Sequence, residues 1–409
     1  MSKIKSSENN DANFIKTSQD SQYVQSKTIN SIINFHLGQP SPSLLPINEI
    51  NRAAEHRLTE DNRMLLQYGS DQGYESFRKD LGHFLSKRYE FPISFEALMV
   101  SNGNSHGISL CCSTLCSQHN QKKVVFVEDP SYFLAFNIFK EQHIDIVAVG
   151  MDAEGMQVSE VEALIQQGKI PSMVYTIPAF HNPTGTCMSE QRMDRLVQLA
   201  IEHNFVIVAD EPYPLLNYGG KTIPLIARYV SSGHVVSLGS FSKILAPGLR
   251  LGWIHASPIL IKKLAQSAVI QSGGCVNPVM AGIVHSAINL GYLEAHIDNL
   301  NQVYCKRKKL LSQALKDHLP EISFLEPQGG YFIWCKLPAG IDSASFLEVA
   351  KLDFGVGFTP GKRCSSREAF SDHIRLSFAF YSEEEIIEGV KRLRLALDQH
   401  INMGIPSDQ

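Results

Sequence analysis

Six short runs of almost unbroken apolar residues recur between residues 123 and 256, and they limit the possible architectures more than any other feature. They read KVVFVED (123–129), DIVAVG (145–150), MVYTIP (173–178), FVIVAD (205–210), HVVSLGS (234–240) and LGWIHA (251–256). A strand with one wet face alternates apolar and polar residues. These runs do not, so both of their faces must be covered. Between them lie stretches such as SEQRMDRLVQLAIEHN (189–204), whose apolar residues recur at helical spacing. Buried strands alternating with helices predict an α/β fold with a mostly parallel central sheet covered by helices on both faces.

After Gly291 the texture changes. YLEAHIDNLNQVYCKRKKLLSQALKDHL predicts one long helix that ends at Pro320, and GYFIWCKL (330–337) and HIRLSFA (373–379) predict strands. SEEEIIEGVKRLRLALDQH (382–400) predicts a closing helix. A chain of 409 residues exceeds one simple core. The expected organisation is a polar, poorly ordered tail over 1–32, a segment 33–50 that joins the small domain, a large domain over 51–290, and a smaller α+β domain over 291–409.

Composition excludes several classes of function. A net charge of −4 lacks the basic excess that phosphate neutralisation requires, so no nucleic-acid partner is expected. The basic cluster Lys306 to Lys309 is predicted to be a solvated helix face. None of Cys111, Cys112, Cys116, Cys187, Cys275, Cys305, Cys335 and Cys364 forms a Cys-x-x-Cys pair, which points to free thiols and no metal. No leader-like apolar stretch or bilayer-length run is present, so the expectation is a soluble, cytoplasmic protein with no membrane partner.

In open α/β sheets, ligands bind beyond the carboxyl ends of the strands. Polar residues collect there: Asn182 after MVYTIP, Asp210 and Tyr213 after FVIVAD, and Ser240, Ser242 and Lys243 after HVVSLGS. Each has a plain structural reading as a turn, a cap or a snorkelling lysine. Lys243 stands among serines, glycines and apolar residues, with Arg250 the next charge, and burying an unpaired lysine is costly. A lysine of lowered pKa can form a Schiff base. Hydroxyls, an arginine and helix-start amides can hold a phosphate. An aspartate can keep a pyridinium nitrogen protonated, and an Asn–Tyr pair can bind a phenolic oxygen. Together these requirements describe pyridoxal 5'-phosphate.

The segments INFHLGQPSPSLLP, HNPTGT, ADEPYP, SFSKILAPGLRLGW, PQGGYFIW and HIRLSFA, in this order, resemble the class I/II aminotransferases of the aspartate aminotransferase fold. Within them the chain resembles the aminoadipate, aromatic and multi-substrate group. The resemblance implies pyridoxal-phosphate-dependent transferase fold type I, and a ping-pong transfer of an α-amino group to a 2-oxo acid through a Lys243 Schiff base. It implies that Lys243 also moves the proton between Cα and C4', and that Asp210 pairs with the pyridinium nitrogen. Asn182 and Tyr213 would bind the phenolic oxygen, and Ser240, Ser242 and Arg250 the phosphate. Tyr132 would stack on the ring, Arg375 would clamp the substrate carboxylate, and Gly38 would line it. Tyr68 would reach the phosphate of a neighbouring subunit, which implies a homodimer with shared sites. In the phosphate loop, Gly103-Asn104-Ser105-His106 departs from the frequent Gly-Ser-Gln-Gln; the loop's backbone amides, with Asn104 and Ser105, are expected to keep phosphate binding. The same scaffold supports β-eliminating lyases and non-catalytic cofactor sensors, which are the alternatives. QSGGCVNP (271–278) supplies no arginine for a distal carboxylate, which favours apolar, aromatic or mixed substrates over aspartate.

Overall fold

The computed structural model describes residues 32–116, 123–220, 222–274 and 276–404, with side chains through Asn402. Nearly all of the expected N-terminal tail, and Cys275, lie outside the described residues. The described part begins with β1 (Ile33–Asn34). The large sheet follows: β2 (Leu98–Ser101), β3 (Val124–Asp129), β4 (Asp145–Asp152), β5 (Gly155–Met156), β6 (Met173–Thr176), β7 (Val206–Asp210), β8 (Val235–Ser240) and β9 (Gly252–Ala256). Its order is β2-β9-β8-β7-β6-β3-β4-β5. The neighbours from β4 to β8 pair in parallel.

Successive residues of these strands enter opposite cores, as the two-residue side-chain period demands. Val125, Val127, Tyr175, Val208 and Val236 pack on one side, with Ile108, Phe139 and Leu264. Phe126, Val174, Ile207, Ala209 and Val235 pack on the other, with Val161, Met193 and Leu196. Two helical layers thus sandwich the sheet, and the six runs are apolar throughout because neither face is wet. Helix Glu190–His203 ends on Asn204 in the left-handed conformation, φ 54°, which Asn tolerates well.

Two features of this sheet were not legible in the sequence. β2 is only four residues long and merges with the polar SNGNSHG loop, so it escaped the pattern. The LGWIHA strand, β9, runs antiparallel to both β8 and β2. It follows β8 without a crossover helix, through a loop over 241–251 that carries Lys243 and Arg250.

The small sheet contains β10 (Ser323–Phe324), β11 (Phe332–Lys336), β13 (Thr359–Pro360) and β14 (His373–Ser377), all antiparallel in the order β10-β11-β14-β13. β12 (Val356–Gly357) pairs in parallel with β1, tying the N-terminal segment to this layer. One apolar core runs from Leu98 and Trp253 of the large sheet to Leu376 and Phe378 beside the small one.

The long helix spans Tyr292–His318. The predicted solvated face on it needs correction. Lys306 and Lys309 are exposed, but Arg307 and Lys308 are buried. Arg307 donates to the Ala379 carbonyl at 2.7 Å, and Lys308 pairs with Glu326 at 3.0 Å. A run of four cations necessarily turns part of itself inward on a helix packed along one side. Among the described residues, no helix is long and apolar enough to cross a membrane.

Candidate active site

Parallel strands end on the same rim. Asp210 closes β7, Ser240 closes β8, and the loop after β6 reaches Asn182. Helix Asn104–Leu115 follows β2 after two intervening residues and brings its N-terminus to that rim. β14 crosses above it with Arg375. The result is a cavity of about 730 Å³. Lys243, Asp210, Asn182, Tyr213, Arg250 and Arg375 line it together, as do Gly38, Asn104, Ser105, Tyr132, Ser240 and Ser242. Tyr68 alone among the predicted site residues does not: it is 85% exposed.

Among the described residues, no carboxylate lies within ion-pair distance of Lys243 Nζ. Its Nζ donates to the Gly38 carbonyl at 2.7 Å and lies 5.6 Å from the centre of the Tyr331 ring. The Tyr331 hydroxyl donates to the Lys243 carbonyl at 2.9 Å, which anchors the loop. Burial, reinforced by the Arg375 charge, lowers the lysine pKa to about 8.

Arg375 is 3% exposed, and its guanidinium lies 4.1 Å from the Phe332 ring centre. Nη1 donates to Asn182 Oδ1 at 2.9 Å and Nη2 to the His36 carbonyl at 3.0 Å, while Nε is buried without a partner among the described residues. Because Asn182 accepts through Oδ1, its amide NH₂ is the end left to donate. The loop before Asn182 is propped by buried Glu128, which accepts from Thr176 Oγ1 at 2.6 Å and the Ile177 amide at 2.8 Å, with His181 Nε2 3.1 Å away.

Asp210 is also buried, and accepts from the Tyr175 hydroxyl at 2.8 Å and from Asn104 Nδ2 at 2.5 Å. Burial raises its pKa, and these two donors work against that rise. At the opposite corner, Ser240 Oγ accepts from the Ser242 amide at 3.1 Å, and Arg250 Nη1 lies 3.5 Å from Ser242 Oγ. Gly103 precedes the helix at φ 80°, ψ 174°, and no side chain caps the helix start. A Cβ on Gly103 would stand 3.2 Å from Arg250 Nη2.

Sequence reasoning missed Tyr175, His36, Phe332 and Tyr331. Tyr175 reads as one more apolar strand residue, and nothing local shows that its hydroxyl meets Asp210. His36 stood beside Gly38 in FHLGQP and could have been noticed. Burial and Arg375 push its pKa down to about 3, so the ring is neutral, and its Nδ1 meets Thr359 Oγ1 at 2.7 Å.

These residues fit pyridoxal 5'-phosphate. The uncapped helix start with Ser240, Ser242 and Arg250 forms a cradle for a dianion. A buried carboxylate, a deprotonatable lysine and an arginine with one unpartnered nitrogen complete the donor set. The sequence matches the family described as aminotransferase class I and II over residues 30–393. It is 34% identical over 384 residues to aromatic-amino-acid aminotransferase 1 of Thermococcus litoralis, covering 93% of this chain and 91% of that one. It is 30% identical over 371 residues to the 2-aminoadipate transaminase of Thermus thermophilus, covering 90% of each. The fold is similar to the crystal structure of Pyrococcus horikoshii kynurenine aminotransferase in complex with PMP, with a TM-score of 0.84 and 33% identity over 95% of this chain and 94% of that one. Matched by the family over most of its length and by relatives at 30% identity or more, this chain belongs to the class I and II aminotransferases, the pyridoxal-phosphate-dependent transaminases.

Proposed function

We propose that Lys243 is the residue that binds the cofactor covalently and moves the proton at the substrate Cα, in ping-pong transamination of amino acids with apolar or aromatic side chains. The supporting observation is one half-buried lysine, held by Gly38, in the same cavity as Asp210 and Arg375. Pyridoxal 5'-phosphate is the cofactor, and supplies the electron sink that makes a Cα carbanion accessible.

Every other part is the work of the chain. With a pKa of about 8, roughly a tenth of Lys243 is neutral at pH 7, enough for a nucleophile and a base. Arg375 binds the α-carboxylate, with its guanidinium held over the Phe332 ring. Asp210 holds the proton on the ring nitrogen. The Asn182 amide and the Tyr213 hydroxyl bind the phenolic oxygen, while Tyr132 stacks on the ring. Ser240, Ser242, Arg250 and the helix start at Asn104 and Ser105 take the phosphate. Phe133 and Phe332 help exclude water.

The rest of the cavity wall includes Leu45, Ile47, Ile50, Leu134 and Leu249, which suits an apolar substrate side chain. Exposed Met64 and Leu66 precede Tyr68, with Ile47 and Val269 also exposed. A second copy of the chain covers this apolar surface, giving a homodimer in which Tyr68 completes the partner's phosphate site. The enzyme acts in the cytoplasm.

The test is a spectral titration of cofactor-loaded protein with single amino acids and no oxo acid. The expected result is loss of the visible band of lysine-bound cofactor with aromatic and apolar amino acids, with one 2-oxo acid released per site. Lys243→Ala shows no such band and no turnover. Pyruvate and ammonia released catalytically without an acceptor would identify a β-lyase instead. Turnover by Lys243→Ala would sink the assignment.

A further inference from the structure

We infer that Asn104 is a positioning residue for Asp210: its side-chain amide, instead of contacting phosphate, holds the carboxylate ionised and aimed at the cofactor's ring nitrogen. This inference rests on the functional reading above and assigns a further residue to it.

Asn104 opens helix Asn104–Leu115, so its backbone belongs to the phosphate cradle. Its side chain points elsewhere. Nδ2 donates to Asp210 Oδ1 at 2.5 Å and to the Leu238 carbonyl at 3.0 Å. The Leu238 oxygen can only accept, so the NH₂ end of the amide must face it. That settles the rotamer, and the second N–H falls on Asp210. The opposite atom, Oδ1, is buried with no partner among the described residues. Leaving an amide oxygen bare is unfavourable, and both amide hydrogens must be well used to offset it.

Asp210 therefore meets two donors, Asn104 on Oδ1 and the Tyr175 hydroxyl on Oδ2. The amide can only donate, which favours the ionised form. Burial pushes the other way, and Asn104 is the largest opposing influence. Glu128 adds a smaller push toward the neutral acid, and Lys243 a pull toward the ionised one. The neighbouring Glu211 is buried as well, and the Asp210 charge helps to raise its pKa. Without the amide, a buried carboxylate would take up a proton more readily and lose its hold on a positive ring nitrogen. The frequent Gly-Ser-Gln-Gln loop has a serine at this position, which is too short to make the same pair of contacts.

The experiment compares wild type with Asn104→Leu, which is similar in size but has no donor, and with Tyr175→Phe, which removes the other donor. Two readouts are needed in the cofactor-loaded protein: the affinity for pyridoxal 5'-phosphate, and the pH midpoint of the visible absorbance of the lysine-bound cofactor. Less positive charge at the ring nitrogen makes the chromophore easier to protonate, so the midpoint should rise. The expected shift is about one pH unit for Asn104→Leu, with the same sign for Tyr175→Phe. Cofactor affinity should change less than about 3-fold for Asn104→Leu, and kcat should fall about 10-fold at similar KM. A tenfold loss of affinity with an unmoved midpoint makes Asn104 a phosphate anchor and overturns the inference. So does an unmoved midpoint with intact affinity. A wild-type protein with no lysine-bound band overturns the functional reading and this inference together, which keeps the two failures distinct.

Discussion

At the scale of single residues, the site is expensive to keep folded without its cofactor. Lys243 is the clearest case. Its folded pKa of about 8 lies below the ordinary 10.5, so between those values the unfolded chain binds more protons. Stability of the cofactor-free protein is therefore expected to rise as pH increases through that window. The burden at neutral pH is at most about 3 kcal/mol. Lys243→Met keeps the apolar stem and removes the charge, at the loss of the bond to Gly38. It is expected to stabilise the cofactor-free protein by about 2 kcal/mol at pH 7. That advantage should vanish near pH 10.5, as read by urea denaturation at both pH values. Arg375→Lys tests the substrate clamp. It retains charge but not the paired nitrogens, so KM for the amino acid should rise about 100-fold, with a smaller effect on kcat. An unchanged KM would place the carboxylate elsewhere.

At the scale of elements, two glycines show how closely the framework is drawn around the site. Gly103 has a backbone conformation open to glycine almost alone, just before the helix whose start is proposed to take the phosphate. Gly103→Ala is expected to weaken cofactor binding about tenfold, measured by equilibrium dialysis, as strain and the contact with Arg250 displace the loop. Gly239 in β8 lies under the Trp253 indole of β9, where a Cβ would stand 2.0 Å from a ring atom. Gly239→Ala should cost about 3 kcal/mol or more, because the two strands cannot separate without moving the loop that carries Lys243. Thermal unfolding of that variant within a degree or two of wild type would contradict the packing.

At the scale of the whole molecule, the proposed dimer makes the site a shared property. Leu66→Glu, on the exposed apolar surface beside Tyr68, should shift the protein to monomer in analytical ultracentrifugation and lower cofactor affinity. A monomeric variant with full activity would show that Tyr68 is dispensable. The strands and helices could be read from the sequence because covered strands and amphipathic helices leave periodic marks on their own residues. The convergence of Lys243, Asp210 and Asn182 on one cavity was legible for a related reason: strand ends are local features, and parallel strands bring them to one rim. Local sequence pattern was enough for the α/β class, the long helix and most of the polar residues that line the cavity. Only the tertiary structure decided that β9 reverses, that Arg307 and Lys308 turn inward, and that Tyr175 and Asn104 meet at Asp210. Those outcomes depend on contacts between residues far apart in the chain, where no local period records which partner a side chain will find.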